Sequence, residues 1–366
     1  MTSRSPIRVA VVGLGSLARE VHLPLLEASR HCEVVALADP DADALERAAA
    51  LVDHRAERST DPLSLCADAA TSIDAVLIAS PTPFHAEQAA AALRAGHHVY
   101  LEKPVAASHS EAEELARIRL DAGQVLQVGL NYRFDPAYED IARRMKAGSL
   151  GPVRRVSMAF AAPLDPRGTW REAQRPGGGV LLDLFSHDVD LLGFFGFRFV
   201  EVSATAHGDS VKVLGALRTA SCGEADVEFE GEYSFRAGDR AHCRLETDGG
   251  VLSYDRYRDF APVVHRGHRR SLTTGVRNAA RQMASLGVVV ERRRSPWRQP
   301  TFRRALRSFV QAIQGGGVGE LKGATLADGL ASLRVVEAAQ RSLGHSPGSL
   351  EPPVESARRT DQPAKG

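Results

Sequence analysis

Apolar positions along this chain follow two rhythms. From Ile7 to about residue 130, short unbroken apolar runs alternate with stretches of helical spacing such as Ala86–Ala95. The runs are Ile7–Val12, Val34–Ala38, Ile73–Ala79, His98–Leu101 and Val125–Leu130. Runs of that length without polar alternation are strands buried on both faces, and their alternation with helices predicts a parallel, doubly wound sheet. After about residue 150 the pattern changes. Val153–Ala161 is strand-like, and within Ala225–Phe235 the residues Val227, Phe229, Tyr233 and Phe235 share one face, with acids on the other. His242–Thr247, the turn Asp248-Gly249-Gly250 and Val251–Tyr254 read as a hairpin. This half predicts a mostly antiparallel open sheet with one packed face. Phe302–Ile313 and Thr325–Leu343 have the spacing of amphipathic helices, and the polar, Pro-containing tail from Glu351 is expected to be disordered. The expected organisation is an α/β chain with a dinucleotide-binding domain over 1–130, a second α/β domain over 131–350 and a tail over 351–366.

The first domain carries its chemistry at strand ends. Ile7–Val12 runs into Gly13-Leu14-Gly15-Ser16-Leu17-Ala18, a helix-like stretch follows, and the next apolar run ends at Asp39. A lone glycine pattern also fits an ordinary turn, but strand, glycine turn, helix, strand and acid in this order form a dinucleotide fingerprint. Gly13 permits the tight turn, and Gly15 lets main-chain N–H groups approach a pyrophosphate, next to Ser16 and Leu17. Asp39 suits an adenosine ribose. Pro40 follows it where an arginine would greet a 2′-phosphate, so NAD is expected over NADP. Ser80, Thr82, His85, Glu102, Lys103 and Asn131 fall at or just past the ends of later strands, where ligands gather in such sheets. Thr82-Pro83 is a good helix start, and Gly96 closes that helix.

The run Gly177–Asp190 is read as a buried helix with polar residues on one face. Asp183 and His187 lie four residues apart and Asp190 three further on, among Val, Leu and Phe. Buried carboxylates and imidazoles are costly unless they have partners or a task. An imidazole beside a carboxylate is a proton-transfer pair near neutral pH, although a structural hydrogen-bonded pair has the same spacing.

Length and composition are those of a soluble two-domain globular chain of 366 residues, with no signal-peptide pattern. A cytoplasmic enzyme is expected. Cys32, Cys66, Cys222 and Cys243 are scattered, so neither a zinc site nor a disulfide framework is predicted. The net charge of +1 hides a division, because fourteen arginines and only two acids lie between Arg256 and Arg307. Within this basic stretch, about 257–300, Val276, Ala279 or Ala280, Met283, Leu286 and Val290 form an apolar stripe. A solvated surface, a membrane-surface helix, a dimer element and a lid over an anionic substrate all fit; lid or interface is preferred. Nucleic-acid binding is disfavoured, since no recognised motif or interleaved aromatics accompany the arginines.

Five spaced motifs together resemble the glucose–fructose oxidoreductase, inositol dehydrogenase and MocA family. They are Gly13-Leu14-Gly15, Glu102-Lys103-Pro104, Asn131-Tyr132-Arg133-Phe134, Trp170-Arg171, and Gly178-Gly179 through Asp183-Leu184-Phe185-Ser186-His187. The resemblance spans about Ile7 to Leu350 and implies a Rossmann domain followed by an α/β domain whose large sheet mediates dimer or tetramer formation. It implies hydride transfer between a nicotinamide cofactor and a carbinol of a sugar or cyclitol. By position, Lys103, Asp183 and His187 would be the catalytic group. Glu102 and Asn131 would contact the cofactor, and Trp170 and Arg171 would lie near the nicotinamide end or the substrate. His22 is read as structural. The arginines favour a phosphorylated or nucleotide-linked sugar. Competing readings are an NAD-dependent glycosidase working through transient oxidation and a noncatalytic dinucleotide sensor. Phe185 departs from the family's usual Gly and is expected to reshape either the pocket or the helix packing.

Overall fold

The computed structural model describes residues 5–349, apart from 53–54, 70–71, 119–120, 122, 165–178, 220–225, 266–271, 296, 298, 316, 318, 320 and 344–347. Six strands form the first sheet: β1 (Ile7–Val12), β2 (Cys32–Ala38), β3 (Glu57–Ser59), β4 (Ala75–Ile78), β5 (His98–Leu101) and β6 (Leu126–Val128). They are all parallel, in the order β3-β2-β1-β4-β5-β6. Chain direction across the sheet reverses between β1 and β4, which opens a crevice beyond their carboxyl ends. The central strands are buried on both faces, as their unbroken apolar runs require. The helix after the glycine turn carries a wide turn over Ala18–His22 before Leu23–Glu27. Pro24 has no N–H to give the i→i−4 ladder, and such a turn accommodates that loss.

The second sheet has eight strands: β7 (Val153–Ala161), β8 (Phe197–His207), β9 (Ser210–Thr219), β10 (Val227–Ser234), β11 (Arg240–Thr247), β12 (Gly250–Asp255), β13 (Val263–His265) and β14 (Gly348–Ser349). Its order is β13-β12-β11-β7-β10-β9-β8-β14, and only the β7–β10 pair is parallel. Val227, Phe229 and Tyr233 are buried on one face of β10, as their alternation predicts. The other face carries ion pairs such as Lys212–Glu230 and Arg240–Glu232. Helices Ser186–Phe194 and Leu326–Ser342 cover the apolar face, the latter started by a reciprocal Thr325/Asp328 cap.

Helix Pro300–Gly315 returns to the first sheet. Its stripe Phe302, Ala305, Leu306, Phe309 and Ala312 is buried there; Phe309 meets Tyr100 edge-on at 5.7 Å, and Gln127 Nε2 donates to the Ala305 carbonyl at 2.9 Å. The basic stretch before it folds as two helices, Leu272–Ala284 and Leu286–Arg294, not one. Asn278 and Gln282 bond to the main chain of Val264 and Ala261, which leaves Val276, Met283 and Val290 facing outward.

Candidate active site

The glycine turn forms because two constraints at Gly13 coincide. Its φ is +81°, and a Cβ there would lie 2.2 Å from the Ser80 nitrogen at the end of β4. Only glycine allows both the backbone conformation and the close approach. At Gly15 a Cβ would meet nothing within 4 Å, so the main chain there borders open space. That space is a cleft of about 560 Å³ walled by Gly13, Gly15, Ser16, Leu17, Asp39 and Ser80, reaching Glu102 and Lys103. Asp39 Oδ2 accepts from the Leu14 N–H at 2.6 Å and Oδ1 from the Asp41 N–H at 2.9 Å, so this carboxylate also holds the turn in shape.

Other expected cofactor residues divide in two groups. Thr82 borders the cleft, and its buried hydroxyl has no partner among the described residues; Asn131, not among the residues that wall the cleft, likewise has a buried Oδ1 with no partner among them. Buried polar atoms of this kind are costly unless something satisfies them, and an incoming dinucleotide amide or hydroxyl is suited to do so. His85 and Glu102, by contrast, are already engaged. His85 lies with Nδ1 2.7 Å from the Pro104 carbonyl and Nε2 2.7 Å from the Ser80 carbonyl. His85 borders the cleft, and its neutral ring, with one N–H, donates to only one of these two carbonyls. Glu102 Oε1 lies 2.8 Å from His22 Nε2, and Glu102 Oε2 accepts from the Lys103 N–H. His22 is thus structural, its ring edge-on to Tyr100 and Phe302.

Lys103 reaches from the end of β5 to the polar helix. Its Nζ donates to Asp183 Oδ1 at 2.5 Å and to the Asp183 carbonyl at 2.9 Å. Asp183 sits in a wide turn, Leu181–Phe185, that precedes the regular helix Ser186–Phe194. Such turns disturb the i→i+4 ladder and recur at functional sites. His187, one turn on, is buried and makes no hydrogen bond to a described residue; its Nδ1 is enclosed without a partner. Burial holds its pKa well below the ordinary imidazole range, and the Lys103 charge adds to that, opposed by Asp183. His187 is consequently neutral near pH 7.

Two residues that sequence reasoning did not place in the site fix this imidazole. Tyr132 stacks on it with centroids 4.2 Å apart, and Arg256 lies over the Tyr132 ring at 3.7 Å. An imidazole and a guanidinium cannot share one ring face at such distances, so Tyr132 is sandwiched between them. The signal for Tyr132 was its place next to Asn131 in a strand-end motif; Arg256 had none, being one arginine of fourteen.

Asp190 follows the helix face as expected but stands outside the proton-handling group. Arg133 grips it with Nε at 2.9 Å from Oδ2 and Nη2 at 2.6 Å from Oδ1, and also reaches Asp328 at 2.9 Å. Asp188, not singled out from sequence, accepts from the Tyr233 hydroxyl at 2.9 Å, and burial pushes its pKa up to about 7. Phe185 packs against Phe199, Phe229 and Tyr233, so its ring fills the core over the sheet instead of the pocket. Of the basic stretch, Arg256, Arg292 and Arg304 turn toward Asp135 and Glu291, which corrects the picture of a wholly solvated arginine surface. Trp170 and Arg171 lie outside the described residues. Among the described residues no helix is long and apolar enough to cross a membrane.

Comparison with known proteins agrees with this fold. Residues 7–130 match the model of an oxidoreductase family with an NAD-binding Rossmann fold, and residues 138–258 match the GFO/IDH/MocA C-terminal domain. The chain is 31% identical over 247 residues to dTDP-3,4-didehydro-2,6-dideoxy-alpha-D-glucose 3-reductase of Actinomadura kijaniata, covering 63% of this chain and 70% of that protein. It is 30% identical over 264 residues to scyllo-inositol 2-dehydrogenase (NAD(+)) of Bacillus subtilis, covering 67% and 73%. The structure of KijD10, a 3-ketoreductase from Actinomadura kijaniata in complex with NADP and TDP-benzene, superposes with a TM-score of 0.70 at 25% identity, covering 92% of this chain and 98% of that one.

Proposed function

We propose, for a chain that belongs to the GFO/IDH/MocA oxidoreductase family, that it catalyses NAD(P)-dependent interconversion of a carbinol and a ketone on a sugar, cyclitol or sugar derivative. The observation that carries this reading is Lys103, which borders the glycine-turn cleft and is held by both oxygen types of Asp183, one helical turn before the neutral, unbonded His187. A bound nicotinamide supplies the two-electron acceptor or donor. In the oxidising direction the substrate hydroxyl proton passes to His187, whose neutral state makes it a ready acceptor. Lys103 donates a hydrogen bond to the substrate oxygen as negative charge grows there, and Asp183 keeps the ammonium aimed. In the reducing direction the same proton returns to the new alkoxide.

NAD is the favoured cofactor. Asp39 and Asp61 both line the cleft, no arginine lines it among the described residues, and two carboxylates repel a 2′-phosphate. The named relatives include both an NAD(+) enzyme and an NADP complex, so the choice rests on these acids. Dimer or tetramer formation through the outer face of the eight-stranded sheet belongs to the same reading; sedimentation as a monomer at micromolar concentration would count against it.

The test is a screen of neutral, phosphorylated and nucleotide-linked sugars and of inositols with NAD and NADP, read by the absorbance of reduced nicotinamide in both directions. Turnover that His187→Asn abolishes is expected. Silence across the panel, or turnover indifferent to His187→Asn, overturns the reading. Asp39→Ala is expected to raise NADP use relative to NAD.

A further inference from the structure

A second cavity, of about 430 Å³, lies between β12 and the start of helix Pro300–Gly315, bordered by Arg256, Arg292 and Arg293. Its charges do not balance. Arg256 Nε lies 3.6 Å from Asp135 Oδ2 and Arg292 Nη2 3.9 Å from the same oxygen. Neither has a second carboxylate within ion-pair distance among the described residues, and both side chains are largely buried. Arg293 has no ion pair among the described residues either. Exposed Asp239 also borders the space, beyond ion-pair reach of the three. Two sheltered arginines thus share one carboxylate; their other hydrogen bonds go to neutral groups, Gln299 and Thr301 from Arg256 and the Tyr254 hydroxyl and Asp259 carbonyl from Arg292, so the positive charge exceeds the negative there and suits an anion.

The remaining wall is aromatic. Tyr257, Phe260 and Trp297 border the cavity. Trp297 holds a left-handed φ of +48°, a conformation that costs a bulky residue free energy and persists at ligand clamps. Its indole N–H donates to Glu20 Oε2 at 2.8 Å, which fixes the ring at the rim. Arginines that match phosphate oxygens, beside flat rings that match a base, make one combined recognition surface.

We propose that this cavity binds a nucleoside diphosphate, with the diphosphate against Arg256, Arg292 and Arg293 and the base against Tyr257 and Trp297. The ligand is either free or the carrier half of a nucleotide sugar; the two share this chemistry. The inference goes beyond the oxidoreductase reading and needs no turnover. It also offers a link to that site, since Arg256 stands on the opposite face of Tyr132 from His187.

Isothermal titration of the full chain with UDP and with dTDP tests this, with saturating NAD or NADP present so that the glycine-turn cleft is filled. Saturable binding is expected. Arg293→Glu and Trp297→Ala, both on exposed side chains, are each expected to weaken it about tenfold or more, as lost charge-assisted or stacking contacts do, with cofactor affinity unchanged in both and Tm unchanged in Arg293→Glu. No saturable binding, or binding that survives both substitutions, overturns the proposal. Where turnover is measurable, UDP or dTDP that competes with the sugar identifies a nucleotide-sugar carrier, and binding without competition identifies a free ligand. Because binding is read directly, its failure is separate from any failure to find turnover.

Discussion

The imidazole of His187 lies flat on Tyr132, its plane 14° from parallel, and no hydrogen bond from a described residue orients it. Its position is therefore set by stacking. Tyr132→Phe keeps the ring and is expected to hold kcat within about threefold, whereas Tyr132→Leu frees the imidazole and is expected to lower kcat by about tenfold or more, the scale of a lost near-attack orientation. Steady-state kinetics of the two variants decide this; equal losses would show that the hydroxyl, not the ring face, matters.

Lys103 ties the acid and base halves of the site together. Lys103→Met is expected to reduce kcat by about 10²–10⁴-fold, the range for removing a positioned proton or charge partner. It also removes one of the causes that hold the His187 pKa down, so that pKa should rise toward the ordinary imidazole range without reaching it, because burial remains. In the wild type, oxidation activity should persist below pH 6.5, falling only as His187 takes up a proton at its lowered pKa. NMR titration of the ring in both proteins reads the shift, and a fall in the variant's pKa contradicts the assignment.

The Arg133–Asp190 pair is structural in this account. Burial pushes the Asp190 pKa up to about 6, opposed by Arg133, and both groups are enclosed where the helix meets the Asn131–Phe134 turn. Asp190→Ala should cost about 3 kcal/mol, since Arg133 keeps only Asp328. Arg133→Met with Asp190→Leu should recover much of that loss. Urea unfolding measures both, and kcat/KM of the folded Asp190→Ala protein should stay within about threefold of wild type, since the pair makes no transition-state contact. A larger fall in activity than in stability would move Asp190 into the proton-handling group.

Most of the site's frame was legible in the chain because it depends on local patterns. Gly13, Asp39, Ser80 and Lys103 follow strands whose apolar runs are plain, and Asp183 with His187 sits at helical spacing. Asp190 kept that spacing, but spacing alone could not show that Arg133, remote in sequence, would claim it. Arg256 was hidden for another reason. Arginine is ordinarily solvated, and what draws this one inward is a ring at 132 and a carboxylate at 135 from another element. His85 falls past a strand end, as a ligand would, and only the fold shows two carbonyls converging on its ring.

Asp188 gives the fold a pH dependence of its own. Its carboxyl is enclosed, accepts from the Tyr233 hydroxyl and has no cationic partner in ion-pair distance among the described residues. Burial raises its pKa to about 7 from the ordinary 3.8, the hydroxyl opposing. Between those two values the native state holds a proton that the unfolded chain has lost. The stability this group contributes is therefore complete below about pH 3.8 and is lost as pH rises through about 7. At about 1.4 kcal/mol per pKa unit, the loss between pH 5 and pH 8 is on the order of 2–3 kcal/mol. Asp188→Asn keeps an acceptor for the Tyr233 hydroxyl and cannot ionise. Its unfolding free energy should match that of the wild type near pH 5 to within about 1 kcal/mol and exceed it at pH 8 by that same 2–3 kcal/mol. Urea unfolding at the two pH values measures the difference directly. Parallel pH dependences in the two proteins would mean that Asp188 is ionised throughout, and that the Tyr233 hydroxyl is enough to keep its charge in the core.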